Sequence, residues 1–179
     1  MIITISGTAG SGKSTVGGEL AARLSYRHYS MGGFQRELAR QHGLSILEWG
    51  KKEREDPSFD RMIDEKQGKI GTEEDNVVMD SWLAAKFIPH AFKVFLDADP
   101  HVRAMRRVGQ ERSEERFKEA GAALKGMDER QNANRERFIA FYSFDYLDMA
   151  NYDLVVDTSR LSVPEIVDII MKAAKLKSP

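Results

Sequence analysis

The sequence predicts an α/β domain: a three-layer α/β/α sandwich on a five-stranded, mainly parallel sheet. Three observations carry that prediction. Short apolar runs alternate with helical stretches along the chain, the order produced by parallel strands joined through crossover helices. The runs lack polar alternation, as strands covered on both faces do. The first run leads through a glycine-rich turn directly into a helix.

Residues 1–6 (MIITIS) are the first predicted strand, and residues 15–24 (TVGGELAARL) the first helix despite Gly17 and Gly18. Residues 27–30 form a short second strand, followed by charged helical patterns over 34–40 and 45–54. Asp56-Pro57-Ser58 signals another helix start, with Pro57 early and Asp60, Asp64 and Glu65 downstream. Residues 76–80 (NVVMD) and 92–97 (FKVFLD) are the next two strands, and 153–157 (DLVVD) the last. Asp97 and Asp99 precede a helix beginning near Pro100, and residues 103–146 are mostly helical and rich in arginine and glutamate. Pro164 opens a closing amphipathic helix over 164–176, with Ile166, Ile169, Ile170 and Ala173 at helical spacing. Two charged stretches, 33–74 and 109–136, exceed what crossovers require and are expected to be appendages on a compact core.

At 179 residues, the chain is expected to form one domain. Its composition, 41% hydrophobic and 31% charged, excludes a disordered polyelectrolyte. No apolar run approaches the roughly 20 residues that span a bilayer, and the first residues lack the basic region and cleavage site of a signal peptide. A soluble, cytoplasmic protein is expected. The absence of cysteine excludes disulfides, thiolate zinc sites and cysteine nucleophiles. Its 27 basic and 28 acidic residues leave a net charge of −1, which gives no general attraction to nucleic acid.

Gly7-Thr8-Ala9-Gly10-Ser11-Gly12-Lys13-Ser14, followed by Thr15, satisfies G-x-x-x-x-G-K-[ST] between a strand and a helix. The glycines let backbone wrap a phosphate, and successive N–H groups add to the positive end of the helix. Lys13 supplies charge to the β- and γ-phosphates, and the Ser14 hydroxyl is the expected Mg²⁺ ligand. ATP binding with Mg²⁺ is the expectation. Asp80, ending NVVMD, is the favoured second acid for the metal or its water shell, with Asp97 as competitor.

No N-K-x-D guanine-reading motif occurs. Arginine is abundant instead, at positions 36, 40, 103, 106, 107, 112, 116, 130, 135 and 137. Phosphoryl transfer between two phosphate-bearing substrates calls for such charge, because guanidiniums clamp phosphates bidentately. Arg107, Arg116 and Arg135 read as partners of nearby acids. Arg36, Arg112, Arg130 and Arg137 read as converging on one cleft. The aromatic group Phe138, Phe141, Tyr142, Phe144 and Tyr146 reads as packing, and the four histidines, His28, His42, His90 and His101, share no metal-ligand spacing.

With these residues in view, the chain resembles the nucleoside monophosphate kinases, and among them the short, archaeal-type cytidylate kinases and their bacterial relatives. The resemblance spans nearly the whole length. It rests on the glycine-rich loop, on Ser30-Met31-Gly32-Gly33-Phe34-Gln35-Arg36-Glu37-Leu38, and on Asp60, Asp64 and Gln67. It continues through Asn76-Val77-Val78-Met79-Asp80-Ser81, Val94-Phe95-Leu96-Asp97-Ala98-Asp99-Pro100, Arg130, Arg137-Phe138 and Tyr142, and ends with the segment 151–159. It implies a P-loop NTPase fold with core 1–32, 75–108 and 138–179, a monophosphate-binding insertion over 33–74 and a lid over 109–137. It also implies catalytic roles for Lys13, Arg112, Arg130 and Arg137, and an acceptor site of Arg36, Asp64, Gln67, Asp80, Ser81 and Trp82. The partners implied are ATP and a nucleoside monophosphate, most of all CMP or dCMP, on a monomeric enzyme without nucleic-acid or membrane partners.

Two positions depart from the pattern. Relatives usually carry arginine two residues after the strand-ending acid, where this chain has Trp82, and often an acid where it has Gly33. Trp82 is a candidate platform for a base or a packed hydrophobe, with Lys86 as substitute charge. The residues alone leave open another monophosphate, a small hydroxylated metabolite with Asp80 as general base, or a nucleotide-binding switch.

Overall fold

The computed structural model describes residues 1–108 and 114–177. Five strands, β1 (Ile2–Gly7), β2 (Arg27–Ser30), β3 (Val77–Asp80), β4 (Phe92–Asp97) and β5 (Leu154–Asp157), form one sheet in the order β2-β3-β1-β4-β5. Every pairing is parallel. The expected "mainly parallel" sheet is therefore parallel throughout.

Side-chain alternation on β1 and β3 builds two cores from this one sheet. Ile3, Ile5 and Val78 face α1 (Lys13–Leu24) and α8 (Val163–Lys177), where Val16, Leu20, Ile166, Val167 and Ile170 close the largest cluster. Ile2, Val77 and Met79 face the other way, against Met31, Ile70, Ala84 and Ile88. Those residues belong to α2 (Met31–Gln41), α4 (Ser58–Glu73), and the short α5 (Ala84–Phe87) with its C-cap. A third cluster, Leu83, Phe95, Phe138 and Tyr146, lies under α7 (Glu114–Tyr142). The result is the expected three-layer sandwich.

Local chemistry sets the element ends. Ser30 accepts from the Gly33 N–H and starts α2 at Met31, directly after β2 and three residues before the helical pattern expected from residue 34. Ser45 and Glu48 form a reciprocal capping box on α3 (Ile46–Glu55). Within the expected long helical stretch, the described residues form α6 (Pro100–Val108) and α7. The expected boundary at 137/138 falls inside α7, which runs without a break to Tyr142. Met31 is buried among apolar neighbours and serves packing.

Candidate active site

The carboxyl ends of parallel strands flanking β1 converge on the glycine-rich loop. Gly7 aligns with Leu96, Ile5 with Asp80, and Asp80 with Ser30. Because β1 lies between β3 and β4, the chain leaves in opposite directions on either side of it, and the loop occupies the resulting crevice.

The loop is tightly held. A Cβ at Gly7 would lie 2.1 Å from the Leu96 carbonyl oxygen, so no side chain fits there. Gly10 and Gly12 have φ of 84° and 95°, in the region that glycine adopts readily. Thr8 donates to Leu96 O through its N–H and to Asp97 Oδ1 through its hydroxyl. Ala9 N–H donates to Gln131 Oε1. Gly12 starts α1 with no side-chain acceptor, leaving the first turn's N–H groups for an anion. Lys13 folds back, its Nζ 2.9 Å from Gly7 O and 2.7 Å from Thr8 O. Burial pulls its pKa down to about 8, Asp80 opposes that shift, and Arg130 and Arg103 add to it.

Arg103 and Arg106, to which the sequence reading gave no individual roles, brace the loop from α6. Buried Arg103 donates to Ala9 O and pairs with Asp128 of α7. Arg106 donates to Ser11 O and to both oxygens of Thr158, whose hydroxyl also donates to Ser11 O. These contacts join residues 25 to 147 positions apart, so no local pattern marks them.

Asp80 gathers three groups: Ser14 Oγ at 2.7 Å, Ser30 Oγ at 3.0 Å and His28 Nε2 at 2.7 Å. Asp97, by contrast, holds Thr8 and caps its own turn. The adjoining Ser14 and Asp80 oxygens are hard donors that suit Mg²⁺, an ion that keeps several waters and takes few protein ligands. Among the described residues no group of three His, Asp or Glu side chains has the arrangement to hold a metal unaided. No metal-ligand spacing involves His28, so the sequence leaves it without a role. Its function is a contact with Asp80, and it packs where a Gly17 Cβ would come within 2.8 Å of its Nε2.

The 33–74 segment contributes a buried polar set. Asp60, Asp64 and Gln67 recur on one face of α4 and are all buried. Asp64 accepts from the Tyr142 hydroxyl and from Gln67, and Ser81 Oγ donates to Gln67 Oε1 at 2.5 Å. Arg137 lies between Glu53 (3.2 Å) and Asp60 (3.1 Å). Glu53, missed in the sequence, is buried and accepts from the Trp49 indole N–H and from Gln35. Burial pushes the Asp60 pKa up to about 7 and that of Asp64 to about 6.

Of the arginines expected to converge, Arg137 pairs with Glu53 and Asp60, and Arg130 lies over the Trp82 ring. Burial lowers the Arg130 pKa, Glu53 opposes that shift, and the charges of Arg36, Arg107 and Arg137 add to it. Arg36 is exposed, and its guanidinium lies beside Gly32 and Gly33. Arg107, read from sequence as a partner of nearby acids, is among the charges that act on Arg130. Arg135 does pair with an acid, Asp145. Arg112 lies outside the described residues, as does the Arg116 side chain. Trp82 faces the loop: its indole N–H donates to Gly7 O at 3.1 Å, and Lys13 and Arg130 lie over its ring. Lys86 is exposed. Phe138 and Tyr146 are buried in the third cluster as expected, whereas Phe141 is exposed.

Residues 2–160 match the model of the cytidylate kinase-like family. A cytidylate kinase of Natronomonas pharaonis is 38% identical, covering 100% of this chain and 92% of its own. One of Sulfurisphaera tokodaii is 37% identical, covering 95% and 93%. Solved structures with the same fold include a shikimate kinase of Bacteroides thetaiotaomicron, with a TM-score of 0.64 at 17% identity over 98% of each chain. Another, from Aquifex aeolicus, has a TM-score of 0.60 at 23% identity, covering 98% of this chain and 96% of its own. The fold is thus that of the P-loop kinases, and on the family match and these full-length relatives the chain belongs to the cytidylate kinase-like family.

Proposed function

We propose that the protein transfers the γ-phosphoryl group of ATP to a nucleoside monophosphate, CMP or dCMP. The observation that carries this reading is the placement of Lys13 and Arg130 over the Trp82 ring beside the glycine-rich loop, with Arg137 of the same helix as Arg130 paired to Asp60 on the buried polar face of α4. The cytidylate kinase relatives supply the choice of base. ATP phosphates lie against the N-terminus of α1, and Lys13 leaves the Gly7 and Thr8 carbonyls to meet them. Mg²⁺, held through Ser14 and Asp80, supplies charge neutralisation on the phosphates when bound.

An acceptor phosphate oxygen is already anionic, so no side chain has to remove a proton before attack. Catalysis rests on alignment, cation placement and exclusion of water. Arg36 holds the acceptor phosphate, with Asp64, Gln67, Asp80, Ser81 and Trp82 around the acceptor site. Arg112, Arg130 and Arg137 neutralise the transferring group. The 33–74 insertion closes over the acceptor and the 109–137 lid over ATP.

Acceptor-dependent ADP release tests this reading with CMP, dCMP, UMP, AMP, GMP and a panel of small polyols. CMP and dCMP are expected to stimulate most. Stimulation by a polyol alone would overturn the assignment, and stimulation by no acceptor would indicate a nucleotide switch. Lys13→Ala should lower turnover by roughly 10²–10³-fold; near-normal activity would defeat the mechanism.

A further inference from the structure

Trp82 departs from the family pattern, and its surroundings are unlike those of a base platform. Its indole N–H donates to Gly7 O at 3.1 Å, the same carbonyl that takes Lys13 Nζ at 2.9 Å. Lys13 Nζ lies 5.9 Å, and the Arg130 guanidinium carbon 5.2 Å, from the ring centroid. The ring is itself fixed against Tyr146 and Phe138, with centroids 5.7 and 6.4 Å away. One aromatic side chain thus touches the loop backbone and two of the cations assigned to phosphate.

We propose that Trp82 is a positioning residue that sets Lys13 and Arg130 for phosphoryl transfer and keeps the Gly7 carbonyl hydrogen-bonded when Lys13 turns to the nucleotide. Two like charges close together repel, and the negative face of an indole offsets part of that repulsion. A buried carbonyl that lost its ammonium partner without a replacement would carry a desolvation penalty, which the indole N–H removes. An arginine at this position would add a third positive charge to the pair, whereas tryptophan contributes a fixed, uncharged surface. Its effect falls on the arrangement of the cations, so it belongs in kcat more than in substrate affinity.

The kinetic arm rests on the kinase reading proposed above; the binding arm does not. In the kinetic arm, Trp82→Leu should lower kcat roughly tenfold or more, with KM for ATP and CMP within about twofold. Trp82→Phe keeps the ring and its packing but lacks the indole N–H, and should recover only part of that loss. In an Arg130→Met background, Trp82→Leu should cost less than about threefold, since one of the cations it positions is already absent. Fully additive losses, or a Trp82→Leu kcat within about twofold of the parent, would overturn the proposal.

In the binding arm, ADP titration should change indole fluorescence in the parent protein, and Trp82→Phe should abolish that change. Persistence of the full signal in Trp82→Phe would assign it to Trp49 and refute the coupling of Trp82 to the loop. A parent protein that binds ADP with this signal but phosphorylates no monophosphate would defeat the kinase reading while leaving the role of Trp82 standing.

Discussion

Lys13 has two alternative sets of partners, the loop carbonyls and an incoming phosphate, and its charge depends on which it has. Burial lowers its pKa from 10.5 to about 8 when it contacts the carbonyls. A bound polyphosphate restores the preference for the cation. Above about pH 8, nucleotide binding must therefore take up a proton, and affinity should fall as pH rises. Calorimetric ADP titration between pH 7 and 9.5 in buffers of different ionisation enthalpy checks this, with proton uptake expected only at the alkaline end. His28 shows the limit of reading single residues. It lies 52 positions from Asp80, and nothing around it signals that its ring orients that carboxylate. His28→Ala should leave ADP affinity without metal unchanged and raise the Mg²⁺ concentration for half-maximal activity about 3- to 10-fold. Lys13 itself was legible because its neighbours in sequence are also its neighbours in space.

At the scale of elements, α4 and α7 meet through polar faces. Asp60, Asp64 and Gln67 on α4, and Gln131, Asn134 and Arg137 on α7, are all buried. Polar residues at helical spacing ordinarily mark a solvated side, and here they are buried instead. The ion pairs across Arg137 and the Tyr142–Asp64 hydrogen bond account for the difference. Asp60 carries a pH consequence. Its pKa in the folded protein, about 7, lies above the ordinary 3.8 because burial and Glu53 outweigh the pull of Arg137. An acid shifted upward binds its proton more tightly when folded. Its stabilising contribution is complete below 3.8 and is lost as pH rises through about 7. Asp60→Asn, which leaves Glu53 to pair with Arg137, should raise Tm at pH 8 by roughly 2–4 °C, equivalent to about 1 kcal/mol. The Tm of that variant should also vary less between pH 5 and 8, as a thermal melt series would show.

Across the whole molecule, the sheet order β2-β3-β1-β4-β5 fixes the carboxyl ends of β2, β3, β1 and β4 around one loop, and Gln131 of α7 accepts from the Ala9 N–H of that loop. Hydrogen exchange should register closure: amides of α2, α3 and α4 should slow about tenfold or more with CMP and ADP together, and those of β1 and β3 should not change. Strand positions, capping serines and the phosphate loop were determined by the sequence itself, since each depends on residues within a few positions of one another and on hydrophobic period. The loop's bracing by Arg103, Arg106 and Gln131, the recruitment of Glu53 and His28, and the turn of Trp82 toward Lys13 were decided only in the tertiary structure. In each of these, a polar or aromatic side chain finds its partner on a distant segment after the sheet has assembled. A linear pattern of hydrophobicity holds no term for such pairings, because burial and charge complementarity come into being only when the layers pack.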